Sequence, residues 1–203
     1  MRINENESCS CHRSVIRYRK RVWHPNIRML VNAAGFGKSG TFSEIAEKGK
    51  RIHTDMIDLN CTALIRITQM TLPYMKMGSR IINMASAAAF CPQPSFAVYA
   101  ASKACVLSFS RALGQELREK SIYVTAVCPG PVETEFFEVS GELKNPLKKL
   151  NMAAANKVVH RALIDSRKKK SVSVYGAGIK AAEIMTKLLP VSLILKAEEL
   201  FVS

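Results

Sequence analysis

From residue 27 onward the chain alternates short β-rich runs with longer helical ones, and that rhythm constrains its fold more than any other feature. Ile27–Asn32 (IRMLVN) reads as a buried strand, ended by the small residues Ala33, Ala34 and Gly35. Glu44 to Lys50 reads as a short polar helix or loop. Thr54 to Met77 carries apolar residues at helical spacing with no internal glycine, which predicts a long helix kinked in its last turn by Pro73. Arg80–Ala85 (RIINMA) is the second predicted strand, Ser95–Lys120 the second long helix and Ile122–Cys128 the third strand. Beyond a Pro-Gly-Pro break, Met152–Arg167 is helical, Ser171–Tyr175 is a fourth strand, and an amphipathic helix begins near Ile179. Strands separated by helices in this way point to an α/β layered fold with a parallel sheet, because parallel neighbours need a crossover between them.

Residues 1–26 stand outside the rhythm and read as a basic, irregular N-terminal arm, with at most a ragged strand near Val15–Trp23; residues 27–203 read as one catalytic portion. The net charge of +14 invites a nucleic-acid reading, but the charge is local. Residues 1–28 carry seven Lys/Arg against two Glu, and residues 143–170 carry nine against one Asp, so the rest of the chain is close to neutral. Neither basic segment has the interleaved aromatics of a nucleic-acid platform, and both are expected to be solvated; no nucleic-acid partner is expected. Cys9, Cys11 and His12 lack a second ligand pair at zinc-finger spacing, and Cys61, Cys105 and Cys128 fall in apolar patterns expected to bury free thiols. No apolar run approaches a membrane span and no secretory signal opens the chain, so a cytoplasmic location is expected.

Tyr99 and Lys103 lie four residues apart at the start of the second long helix, on one face. A phenol alone is a poor acid–base catalyst at neutral pH, whereas a neighbouring ammonium favours phenolate and lowers its pKa. Ser86 follows the strand RIINMA directly, and the carboxyl ends of strands line the ligand crevice of an open α/β sheet. A hydroxyl there can hold a carbonyl oxygen while Tyr99 moves the proton. Asn60, in the preceding helix, can anchor a water relay back to Lys103. The small residues Ala33, Ala34 and Gly35 let a flat ligand lie against the backbone, and Thr134 offers a hydroxyl beyond the turn at Pro129, Gly130 and Pro131.

These residues in this order resemble the short-chain dehydrogenase/reductase family. The resemblance rests on NAAG at 32–35, Asp58-Leu59-Asn60, Ser86, YAASK at 99–103 and PGPVET at 129–134, and runs from about Arg28 to Tyr175. It implies a Rossmann-like doubly wound parallel sheet and an NAD(P)-dependent oxidoreductase acting on a hydrophobic ketone or secondary alcohol, with steroid-like or acyl substrates as candidates. It implies that Tyr99 is the general acid or base, that Lys103 lowers its pKa and binds the nicotinamide ribose, that Ser86 orients the carbonyl and that Asn60 holds the relay water. Asn32, Ala33, Gly35, Pro129, Gly130, Val132 and Thr134 would contact NAD or NADP together with Tyr99 and Lys103, and Glu135 to Met152 would form a lid over the substrate.

The family's glycine-rich turn, TGxxxGxG, has no counterpart here, and 31 residues before NAAG leave no room for three strand–helix units. The first half of the sheet, strands 1 to 3, is therefore expected to be missing, with IRMLVN left as an open apolar edge and the choice between NAD and NADP lost. The alternative to an enzyme is a truncated, inactive member that serves as a pairing module, or a gene fragment. The two long helices resemble the family's dimer interfaces, so a homo-oligomer is expected. The C-terminal helix is expected to pack in the core or a dimer, with peripheral membrane contact as the second reading.

Overall fold

The computed structural model describes residues 26–136, 140 and 152–202, with side chains described up to Lys196. The predicted arm apart from Asn26, and most of the predicted lid, lie outside the described residues.

Four parallel strands make the main sheet: β1 (Ile27–Asn32), β2 (Met75–Met84), β3 (Tyr123–Val127) and β6 (Val172–Ser173), in the order β1-β2-β3-β6. Between them run α1 (Phe42–Lys48), α2 (Ile52–Ile57), a π-helical segment (Asp58–Ala63), α3 (Leu64–Thr71), α4 (Ala97–Glu116) and α5 (Ala155–Arg167). A short parallel ladder joins β4 (Val132–Glu133) to β5 (Ala153–Ala154), and α6 (Ala177–Leu188) and α7 (Val191–Val202) follow. This is the expected α/β architecture. Both faces of the central strands are covered, as a parallel sheet requires. Successive residues of β2 show it: Ile81 packs with Leu113 of α4 and Val124, while Ile82 packs with Val158 and Ala162 of α5. Among the described residues β1 is an edge strand with β2 as its one neighbour, and Met29 and Val31 are exposed on it.

The predicted first long helix needs correcting. It contains a π-helical stretch over Asp58–Ala63, and α3 ends at Thr71 rather than at Met77. Pro73 lies in a 3₁₀ turn (Leu72–Tyr74), and β2 has already begun at Met75, five residues before the predicted strand. Ser79 explains the early start. Its Oγ accepts from Lys76 N–H (3.1 Å) and donates to the carbonyl of Ile27 (2.9 Å), pinning the front of β2 to the front of β1. Two other expectations also change. Cys105 is exposed, because the buried face of α4 runs through positions 99, 103, 106, 110 and 113 and leaves 105 outside it. The amphipathic C-terminal segment is two helices separated at Pro190, and α6 packs Ile179 against the core while burying none of its residues completely. The helix α1 carries a capping box, Thr41 with Glu44, which the TFSE sequence spells out but the reading above left as helix or loop.

The strand ends that border the site are fixed by a buried polar chain. Asn32 Nδ2 donates to Oδ1 of its register partner Asn83 (2.8 Å) and to Thr68 Oγ1 (3.1 Å). Asn83 Nδ2 donates to Ser110 Oγ (2.9 Å), and the Thr68 and Ser110 hydroxyls donate back to the carbonyls of Leu64 and Val106. One chain of hydrogen bonds thus runs from α3 through β1 and β2 to α4. Removing a member strands its neighbours without partners in a dry interior. Asn83→Ala is therefore expected to lower the unfolding free energy by about 2–4 kcal/mol in urea titrations.

Candidate active site

The carboxyl ends of β1, β2 and β3 open onto a cavity of about 550 Å³. Nine of the predicted residues line it: Ser86, Tyr99 and Lys103, with Ala33, Gly35, Pro129, Gly130, Val132 and Thr134. Asn32 and Asn60 do not.

Ser86 leaves β2 in extended conformation and caps a 3₁₀ turn (Ala87–Ala89), its Oγ accepting from Ala88 N–H at 3.1 Å. The next N–H, of Ala87, donates to the carbonyl of Pro129 (2.8 Å), so the serine loop and the Pro-Gly-Pro loop move as one. Ser86 and Tyr99 line the same cavity. Tyr99 occupies the first turn of α4, almost fully buried, its ring 4.4 Å from that of Phe96 and 5.4 Å from that of Phe136, both tilted against it. Lys103 follows one turn later, also buried, and donates to the carbonyl of Met84 at the end of β2 (2.8 Å). Its ammonium is 5.7 Å from the Tyr99 ring centroid.

The electrostatics differ from the sequence expectation. Burial pushes the Tyr99 phenol up to about 12, opposed by the nearby Ser86 hydroxyl. Burial pulls the Lys103 ammonium down to about 8, with the buried thiols of Cys61 and Cys128 acting to raise it. The chain's own field therefore holds the phenol protonated and the ammonium close to losing its proton. At this distance from the ring the lysine does not overcome the desolvation of the phenol.

Asn60 sits in the π-helical segment, a conformation that recurs at functional sites. Its Oδ1 accepts from Phe36 N–H (3.0 Å), and its Nδ2 donates to the Phe36 carbonyl (2.9 Å) and to Ser102 Oγ (3.0 Å). The amide is fully spent on clamping the loop after β1 to α4. Asn32 is likewise spent, within the buried chain described above, and stands behind the cavity rather than in it. The small residues have steric reasons. A Cβ on Gly35 would come within 2.8 Å of Asn60 Oδ1, and one on Gly130 within 2.6 Å of Ile179 on α6. One on Gly37 would come within 2.9 Å of the rings of Phe96, Tyr99 and Phe136 alike.

Sequence reasoning missed this aromatic bracket and the part played by α6. Phe96 and Phe136 carry no motif, although Phe96 stands three residues before Tyr99, where a helix N-terminus folds its cap back over the first turn. Ile179, Ala182 and Thr186 complete the cavity wall from α6. Their spacing of three and four residues was visible as one helical face, but nothing in it named its partner.

Comparison with known proteins agrees with this geometry. The short chain dehydrogenase family model matches residues 7–145, and the chain belongs to that family. The match starts at residue 7, inside the stretch read as an arm and well before the first motif at Asn32. An uncharacterized oxidoreductase of Staphylococcus epidermidis is 35% identical over 134 residues, covering 64% of this chain and 56% of the relative. The chain spans about half the length of the curated relatives it matches. Among solved structures, a short chain dehydrogenase from Burkholderia cenocepacia in complex with NADP superposes with a TM-score of 0.74 at 19% identity, covering 91% of this chain and 75% of that one. A bulky-bulky ketone specific alcohol dehydrogenase from Comamonas testosteroni superposes with a TM-score of 0.63 at 26% identity, covering 86% and 66%.

Two outcomes test the site. Gly37→Ala is expected to destabilise the fold by about 1–3 kcal/mol and to disturb the near-ultraviolet signal of the aromatic bracket, because three rings converge where the methyl must go. The second concerns Lys103. Its pKa is about 8 when folded against a model value of 10.5, so the unfolded chain binds more protons between those values and wild-type stability rises with pH across that window. Lys103→Met abolishes that rise. The stability of the variant relative to wild type should then fall by up to roughly 3 kcal/mol between about pH 7 and pH 10, measured by urea unfolding.

Proposed function

We propose that this chain carries the proton-transfer site of an NAD(P)-dependent oxidoreductase that interconverts a hydrophobic ketone and a secondary alcohol. The observation that carries the reading is the convergence of Ser86, Tyr99 and Lys103 on one cavity whose other walls are largely alkyl and aromatic. The ketone-specific relative supports the substrate class.

A nicotinamide cofactor is what the family implies, and the described residues suit its nicotinamide-ribose end. Gly35 lines the cavity together with Tyr99 and Lys103, whose phenol and ammonium can donate to a ribose there. Pro129, Gly130, Val132 and Thr134 would border the ring, while Asn32 would support the strand behind it. The cofactor, when bound, supplies or accepts the hydride. NAD and NADP both fit this reading, since the nicotinamide-ribose end is common to the two.

The protein's share is proton traffic and orientation. The Ser86 and Tyr99 hydroxyls, which line one cavity, would together hold a substrate oxygen. With its pKa near 12, Tyr99 is protonated throughout the neutral range and ready to act as an acid towards a carbonyl oxygen. In the reverse direction it must first lose that proton, so oxidation should accelerate with rising pH while reduction stays flat through neutrality. Lys103 can pass a proton onward because burial has brought its own pKa near 8. With the Asn60 amide occupied, a relay water at that residue would rest on its backbone carbonyl. Ile57, Leu59 and Ile65, exposed on the outer side of the α2–α3 helices, support pairing of two copies through that face.

The test is Tyr99→Phe. Turnover of hydrophobic ketones with NADH or NADPH is expected to fall by about 10²–10⁴ with circular dichroism unchanged. A wild-type chain that folds and pairs but turns over no such ketone with either cofactor would replace this reading with that of a pairing module.

A further inference from the structure

Two thiols outside the chemistry described so far lie on elements that pack together. Cys61 belongs to the π-helical segment, next to Asn60, and is buried. Its Sγ donates to the Ser102 carbonyl of α4 at 3.4 Å. That carbonyl points along the helix axis toward the following turn, as α-helical carbonyls do, and the following turn carries Cys105. Positions 102 and 105 are neighbours on the helix surface, so the buried thiol rests against the ridge that bears the second cysteine. Cys105 itself lies at the rim of this contact, outside the buried face of α4, and is exposed.

The two thiols have opposite surroundings. Burial, and after it the nearby Cys105 thiol, pushes the Cys61 thiol up to about 12, opposed by the charge of Lys103. Cys61 is thereby held in the unreactive thiol form and shielded from solvent, whereas Cys105 is open to a dissolved oxidant. An accessible cysteine with a second thiol behind it is the arrangement in which oxidation starts at the surface and is resolved inside.

We propose that Cys105 and Cys61 are the peroxide-reactive and the resolving cysteine of an internal disulfide that locks the π-helical segment to α4. The Cys105 thiolate attacks one oxygen of hydrogen peroxide, the O–O bond breaks, hydroxide leaves, and Cys105 becomes a sulfenic acid. The Cys61 sulfur then attacks the Cys105 sulfur. The S–O bond breaks as the S–S bond forms, and the hydroxyl departs as water with the proton of Cys61. Two thiols are oxidised by two electrons together, and the peroxide is reduced to two waters. A small thiol reverses the link by exchange. The link stands one residue from Asn60 and two from Lys103, so it ties together the frame that holds the cavity's lysine. On the functional reading given above it would act on that same site; the disulfide itself does not rest on that reading.

The test is treatment of the full-length protein with hydrogen peroxide, then alkylation and tryptic mapping without reductant. The expected product joins peptide 52–66 to peptide 104–111, each with a single cysteine, within one chain. It should form at least about tenfold faster in the native protein than in concentrated urea, because the fold holds the two thiols together. The linked protein should unfold at a urea concentration about 1–2 M higher, a shift that dithiothreitol reverses. Cys105→Ser, at an exposed position, should abolish both the link and the shift. Cys61→Ser keeps a hydroxyl for the Ser102 carbonyl and should leave Cys105 to proceed to the sulfinic acid, read as added oxygen on peptide 104–111. The proposal is overturned if peroxide yields no link between these two peptides. It is also overturned if the link joins two copies, seen as a covalent dimer, or if it forms as fast in urea as in the native protein. None of these outcomes depends on turnover, so the functional reading stands or falls separately.

Discussion

The side-chain amide of Asn60 holds together the parts that make the site. Three hydrogen bonds tie it to the backbone of Phe36 on both sides and to Ser102. Through them the loop leaving β1, the π-helical segment and α4 become one body, with Gly35 pressed into the angle between Asn60 and Lys103. An amide that pairs with both the N–H and the C=O of one residue imitates a strand neighbour, and it does so where the sheet has ended. The widened helical segment is what brings position 60 within reach. Beneath it, the Asn32–Asn83 chain fixes the register of the strand ends, so the site rests on two layers of satisfied buried polar groups rather than on apolar packing alone.

Most of the sheet was legible because its strands are short apolar runs between helices, and nine of the proposed site residues do share one cavity. The failures have specific causes. Helical periodicity over Thr54–Met77 persists through the π-helical segment and the 3₁₀ turn, and the β-pairing of Met75 with Ile27 is a long-range preference that local pattern does not reveal. Asn32, expected beside the cofactor, and Asn60, expected at the relay water, both turn their side-chain amides to protein partners, and amides near strand ends can face either way. Which way they face is set by Thr68, Phe36 and Ser102, partners 24 to 42 residues distant in sequence. Cys105 was misplaced because an apolar helix seam does not say on which side its borders fall.

Burial acts in opposite senses on the two titrating groups at the centre. It favours the neutral form of each, which is the protonated phenol of Tyr99 and the deprotonated amine of Lys103. The same dry environment thus keeps the phenol protonated through neutrality and brings the titration of the amine nearer to it. Its source is the aromatic bracket on one side of Tyr99 and the alkyl wall on the other, features that carry no catalytic atoms themselves.

The wall contributed by α6 has a consequence for how the protein comes into being. Synthesis proceeds from the N-terminus, and domains fold as their residues emerge. Ser86, Tyr99 and Lys103 leave the ribosome well before residues 177–188, and Gly130 waits for Ile179 to fill the space against it. Until then the nascent chain presents an open trough bordered by apolar residues. That wall of the cavity closes only once residues 177–188 have emerged.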